Sequence, residues 1–335
     1  MDLETFFTTV YVLVDDWYKD EIADLKPTVG APPRMSDSEI LTLALVGQWR
    51  VGVPWQSERG LVRYIQAHGR DMFPTMLQYS AFNQRVRHLF GVLVSLQQAV
   101  ANWLGQVQAL YECLDSLPLP AGSLGQYSRE PGHWLFTARI GRGPSGWYWG
   151  DRWLVSVTPS GIITGWLVGA ADINDRWLME AFVSCRTGKP QLVQPPRRTK
   201  DAKSQYTPPP VGFIGAWRSC GLPMDRPYLA DGNFSGKRWQ DHWRANYHVQ
   251  VIAPPPPNEP GGWSRAWKSW LARHRQPIET AFALLDHVFG VKRLLAHSRW
   301  GQFTRLAATS AAYNLGLFIN RMLDRPLGAL ATLLC

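Results

Sequence analysis

The chain has 335 residues, 45% of them apolar and 12% aromatic, with a formal charge of +9 and a pI near 9.5. That composition excludes a disordered polymer, allows one large or two moderate domains, and contains no run near the ~20 apolar residues of a membrane span. The positive balance favours a polyanionic partner, because Lys and Arg side chains that neutralise phosphates release counterions.

In chain order, residues 1 to about 105 read as helices. Phe6, Val10, Leu13, Val14 and Trp17 recur at helical spacing; Ser36 and Glu39 have the spacing of a capping box ahead of Ile40, Leu41 and Leu43; a third helix follows Ser57; and Ser80 precedes a long one reaching about Leu104. Arg50, Arg59, Arg63, Arg70, Arg85 and Arg87 make this region a candidate DNA-binding module, with an ordinary charged helical surface as the alternative. From Ala109 the period changes. Leu110 to Asp115 predicts a buried strand, Trp147 to Thr158 and Ile162 to Val168 a hairpin, and Ile173 to Cys185 a helix.

Residues 186–212 form a Pro-rich basic loop in which Arg197, Arg198, Lys200 and Lys203 are candidate phosphate contacts. Tyr228 to Asp231 and Tyr247 to Ala253 read as strands, and Pro277 as the N1 residue of a helix bearing Ile278, Ala281, Phe282, Leu285 and Val288. A last helix runs from Gln302 to about Met322. The expected fold class is α/β, with a helical domain over 1–105 and a mixed-sheet domain over 106–335.

Three acids stand out. Asp115 and Asp231 each follow a short apolar strand, and Glu279 opens an amphipathic helix, a layout that gathers distant carboxylates at one end of a sheet. Phosphodiester cleavage and strand transfer use two divalent cations about 3.5 to 4 Å apart, and hard oxygen ligands suit Mg2+, with Mn2+ able to substitute. Each acid also has a bland role: Asp115 can end a strand, Asp231-Gly232 is a common turn pair, and Glu279 favours a helix N-terminus. Asp172 and Asp175 read as caps of the helix that follows them.

With these residues in place, the chain resembles the DDE transposases of bacterial insertion sequences, whose catalytic domain has a ribonuclease H-like fold. The likeness runs through Leu114 to Pro120, Gly165 to Phe182, Tyr228 to Phe234, Arg275 to Phe289 and the terminal helices, with Ser36 to Leu43 similar to the family's N-terminal part. It implies that Asp115, Asp231 and Glu279 are the catalytic triad and hold two Mg2+ ions, and that Arg275 is the arginine of the Arg-x3-Glu signature, in contact with DNA. Some relatives carry a tyrosine and a lysine where this chain has Ala272 and Asp286; Lys292 and Arg293 are the candidate replacements. The resemblance further implies binding of double-stranded terminal inverted repeats and target DNA, as a homodimer.

Two other functions compete: a nuclease of the same fold without strand transfer, and a domesticated DNA-binding protein without chemistry. The acidic start Met1-Asp2-Leu3-Glu4 lacks signal-peptide order, so a cytoplasmic protein, associated with the nucleoid when on DNA, is expected. Cys113, Cys185, Cys220 and Cys335 show no CxxC spacing, so reduced thiols rather than a zinc site are expected.

Overall fold

The computed structural model describes residues 1–25, 33–122, 138–144, 146–188, 218–221, 225–255, 262–296 and 298–334. They form a mixed α/β protein whose contacts group into two compact units, one of residues 1–104 with 283–335 and the other of residues 105–282. Residues 283–335, read from the sequence as the end of the sheet domain, therefore group with the N-terminal helices.

In the sheet unit, the apolar run at Cys113 forms β1 (Glu112–Gly122), followed by β2 (Arg139–Gly143), β3 (Gly146–Val157), β4 (Ile163–Ala170), α6 (Asp175–Arg186), β5 (Arg218–Ser219), β6 (Tyr228–Ala230), α7 (Lys237–Tyr247), β7 (Val251–Ile252) and the start of α8 (Arg265–His287). The sheet order is β5-β4-β3-β1-β6-β7, with β2 added on β3. β3 lies antiparallel to β1 and β4 antiparallel to β3, whereas β6 is parallel to β1 and β7 parallel to β6.

β1 runs well past the expected Asp115, through Pro118 and Pro120. Strand N–H groups alternate sides, so these two prolines share one side. Pairing with β3 continues there, while β6 has already ended at Ala230, opposite Leu114. Missing N–H groups on the unpaired side break no ladder.

One face of the sheet buries Leu114, Leu154, Leu167, Tyr228 and Ala230 against Leu178, Phe182 and Trp243 of α6 and α7. Two of the buried carboxylates of this unit tie its elements together. Glu180 accepts from His242 Nε2, from Trp243 Nε1 at 2.9 Å and from the Tyr247 hydroxyl, tying α6 to α7. Glu112 accepts from Arg186 Nη1 at 2.6 Å, Arg226 Nε at 2.9 Å, Thr164 Oγ1 at 2.7 Å and the Ser156 hydroxyl. Burial alone would raise its proton affinity, but the two guanidiniums hold the carboxyl down at about 2. α7 was not expected, and the strand read from Tyr247 shrinks to Val251–Ile252, because Tyr247 ends a helix that His248 closes in the left-handed conformation.

The helical unit contains α1 (Leu3–Glu21), α2 (Asp37–Val46), α3 (Glu58–His68), α4 (Tyr79–His88), α5 (Phe90–Trp103), the end of α8 and α9 (Arg299–Met322). Ser36 and Glu39 form both bonds of the capping box, and Ser57 caps α3. The long helix expected after Ser80 is two helices, which meet at Leu89. α9 is buried almost all round from Gln302 to Asn320 and packs on α5, which accounts for the grouping of the C-terminal residues with the N-terminal ones.

Candidate active site

Asp115 and Asp231 are placed by the parallel pairing of β1 with β6. The register runs Glu112↔Tyr228, Cys113↔Leu229, Leu114↔Ala230, so the next residue of each chain is an aspartate. Neighbouring strands lie about 4.8 Å apart, and in-register residues of a parallel pair share a face. Asp115 Oδ1 accepts the Ser116 amide at 2.7 Å. Asp231 caps the short 3-10 turn Gly232–Phe234 and accepts from the Asn233 amide at 2.9 Å and Asn233 Nδ2 at 3.1 Å.

α8 covers this end of β1. Leu271, His274, Arg275 and Ile278 recur at three-, four- and seven-residue spacing; Leu271 and Ile278 are buried, and the Cys113 thiol donates to the His274 carbonyl at 3.1 Å. Arg275 Nη2 meets Asp115 Oδ2 at 2.8 Å. Glu279 follows Arg275 by four residues, hence on the same side of the helix, and is exposed. Pro277 is not the first residue of a helix, as the sequence suggested, but lies inside one that starts at Arg265. It removes the N–H that would bond the Arg273 carbonyl, an interruption between the arginine and the glutamate.

The electrostatics couple these groups. Burial raises the proton affinity of Asp115, Arg275 lowers it, and the charges of Asp231 and Asp175 raise it again, leaving the carboxyl at about 6. Asp231 is raised too, first by burial and also by Asp175, against the lowering effect of the Asn233 amide and Arg275. One guanidinium thus stabilises two carboxylates that repel each other.

Asp175 corrects the sequence reading. Asn174 caps α6, accepting from the Arg176 amide, and Asp172 is exposed. Asp175 is buried, accepting from Ser116 Oγ at 2.6 Å and Arg152 Nη1 at 2.8 Å. Ser116 therefore bonds Asp115 through its amide and Asp175 through its hydroxyl. Nothing in the local sequence distinguishes such a buried acid from a cap, because its partners come from β1 and β3.

The candidate DNA contacts have varied surroundings. Arg85 is committed to Asp37, which also accepts from the Tyr18 hydroxyl at 2.6 Å. Arg87 Nε donates to the Asn83 carbonyl at 3.3 Å. Lys292 Nζ lies 2.6 Å from Asp286 Oδ2, and Arg293 is exposed. Arg197, Arg198, Lys200 and Lys203 lie outside the described residues.

Asp115, within β1, and Asp231, just past the end of β6, offer hard oxygen donors with a mutual repulsion that a divalent cation would relieve, so this pair fits Mg2+. The fit stops at the pair. Among the described residues no group of three His, Cys, Asp or Glu side chains is gathered closely enough to hold an ion, and Glu279 stays exposed on α8. Comparison of the chain with protein-family models, curated proteins and solved structures gives no significant match.

Proposed function

We propose that the chain is a DDE transposase, binding terminal inverted repeats and catalysing DNA cleavage and strand transfer. The observation that carries this reading is that Asp115 and Asp231 directly follow the last paired residues of β1 and β6, Leu114 and Ala230, with Arg275 and Glu279 one turn apart on α8. The strand arrangement supports assigning the sheet unit to the ribonuclease H-like class: three antiparallel neighbours, β4-β3-β1, followed by two parallel ones, β6 and β7.

Asp115 and Asp231 would hold Mg2+, with Glu279 as the third carboxylate, reached from the helix. Bound there, the ions supply activation of an attacking oxygen and stabilisation of the leaving one. The chain's own residues do the orienting: the Ser116 amide fixes Oδ1 of Asp115, and Asn233 holds both oxygens of Asp231. Arg275 offers a planar donor fork suited to a phosphate as well as to a carboxylate. Two element ends must be held together for strand transfer, which calls for a homodimer on DNA. The balance of +9 suits that partner.

The test is Mg2+-dependent cleavage of a labelled duplex carrying the element's own terminal repeats, comparing the wild type with Asp231→Ala. Cutting at the repeat boundary, lost in the variant, is the expected result. Specific binding without cutting in Mg2+ or Mn2+ would replace this reading with a non-catalytic DNA-binding protein.

A further inference from the structure

The side of α8 that bears buried Leu271 and Ile278, and whose His274 carbonyl accepts from Cys113 of β1, continues upstream as a row of aromatic rings. Trp263, just before the helix, and Trp267 have centroids 6.1 Å apart; Trp267 and Trp270 are 5.5 Å apart; and Trp270 lies 4.4 Å from His274, tilted by only 30°. The His274 ring in turn meets Tyr111, before β1, at 5.8 Å. This row ends beside Arg275, which holds Asp115. Trp267 is 57% exposed, a large apolar surface left in water on a helix whose downstream half is buried on the same side.

The same turns of α8 carry cations. Arg265, Lys268 and Arg273 are all exposed, and no Asp or Glu occurs between Glu259 and Glu279. The rings meet tilted or edge-to-face, at 53° for Trp263–Trp267 and 76° for Trp267–Trp270, and such an aromatic surface on a stretch of chain with cations and no acids suits a polyanion with flat faces. Unpaired nucleic acid has both properties: phosphates for the cations and π-faces for the rings, whereas a duplex hides its bases from a stacking side chain.

We propose that the Trp263–Trp267–Trp270–His274 row is a track for unpaired DNA, which stacks bases along α8 and leads the strand to the carboxylates. The inference rests on the DNA-processing reading above and adds the form of DNA that this surface takes. Trp267 precedes Arg275 by eight residues, about 12 Å of helix, so a base on Trp267 lies about three or four stacked bases from the Arg275–Asp115 pair.

The experiment measures binding of a fluorescein-labelled oligothymidine of roughly 12 nucleotides and of a blunt duplex of the same length, by the full chain. Trp267→Ala, Trp267→Phe and Lys268→Ala/Arg273→Ala are compared with the wild type. Trp267→Ala is expected to weaken single-strand binding about tenfold or more while duplex binding changes little, Trp267→Phe to retain most of the affinity, and the double variant to flatten the salt dependence. Because Trp267 is exposed, the variants should keep the wild-type melting temperature.

Equal single-strand affinity in Trp267→Ala, equal losses for both DNA forms, or no single-strand binding by the wild type would overturn the track. So would a change of oligomeric state in Trp267→Ala with DNA affinity unaltered, which would make the row a contact between copies. Mg2+-dependent duplex cleavage measured in parallel separates the two readings. Cleavage with an unaltered Trp267→Ala affinity removes the track alone, and a Trp267-dependent affinity without cleavage removes the transposase reading alone.

Discussion

Asp115 on β1 and Arg275 on α8 are 160 positions apart in the chain and meet at 2.8 Å. The guanidinium opposes the effect of burial and of two neighbouring acids on Asp115. Replacing it by alanine should therefore push the Asp115 carboxyl above about 6. Carbon NMR titration of labelled aspartate carboxyls reads this directly; an unchanged or lowered midpoint in Arg275→Ala would refute the coupling.

The repulsion between Asp115 and Asp231 predicts an opposite shift. Asp231→Asn removes one of the charges that raise Asp115, so the Asp115 midpoint should fall below about 6. The same titration checks it.

Magnesium should stabilise the protein in a pH-dependent way. The folded Asp115 carboxyl, at about 6, lies above its ordinary 3.8, so the folded state holds the proton more tightly and loses stability as pH rises between these values. A cation bound to the ionised pair offsets that loss. Added Mg2+ at 100 times its dissociation constant should contribute about 2.7 kcal/mol, raising the melting temperature more at pH 7.5 than at pH 5. Asp231→Ala should abolish the effect, as differential scanning fluorimetry would show.

Glu112 governs acid stability with the other sign. Its folded carboxyl sits at about 2 against an ordinary 4.5, so its contribution is fully present above 4.5 and is lost as pH falls through that window to about 2. Glu112→Gln leaves Arg186 and Arg226 without their counter-charge in a buried setting. It should cost about 3–5 kcal/mol in urea denaturation at pH 7, and the variant's stability should depend less on pH in the acid range.

Glu279 and Pro277 separate function from folding. Glu279→Gln, at an exposed position, should change stability by less than about 0.5 kcal/mol yet abolish Mg2+-dependent cleavage. Pro277→Ala restores an N–H to the middle of α8 and should raise stability, by up to about 3 kcal/mol, while lowering cleavage by altering the angle between Arg275 and Glu279. Thermal melts and cleavage rates on the same preparations decide both.

Where the determinants were local, the sequence was readable: the Ser36–Glu39 capping box, the Ser57 cap and the Pro159–Gly161 turn between β3 and β4 lie where the residue patterns place them. Asp115 and Asp231 were legible as acids after apolar strands, because burial on both faces leaves a run such as Tyr228-Leu229-Ala230. Pro277 reads as a helix start, yet α8 has begun at Arg265, its first turns carrying Trp among Arg, Lys and Ser after a Pro- and Gly-rich stretch. The strand expected to end at Asp115 runs on through Pro118 and Pro120, since nothing local shows that β6 stops at Ala230. The Ser116–Asp175–Arg152 network was unreadable for a similar reason: its bonds join three separate elements.

The same two prolines bear on solubility. Past Leu114, β1 is paired among the described residues only with β3, so its other side is where a second chain could add a strand and start an aggregate. Pro118 and Pro120 leave that side without two of the donors an incoming strand would need. The central strand thus carries its own barrier to self-association through the sheet.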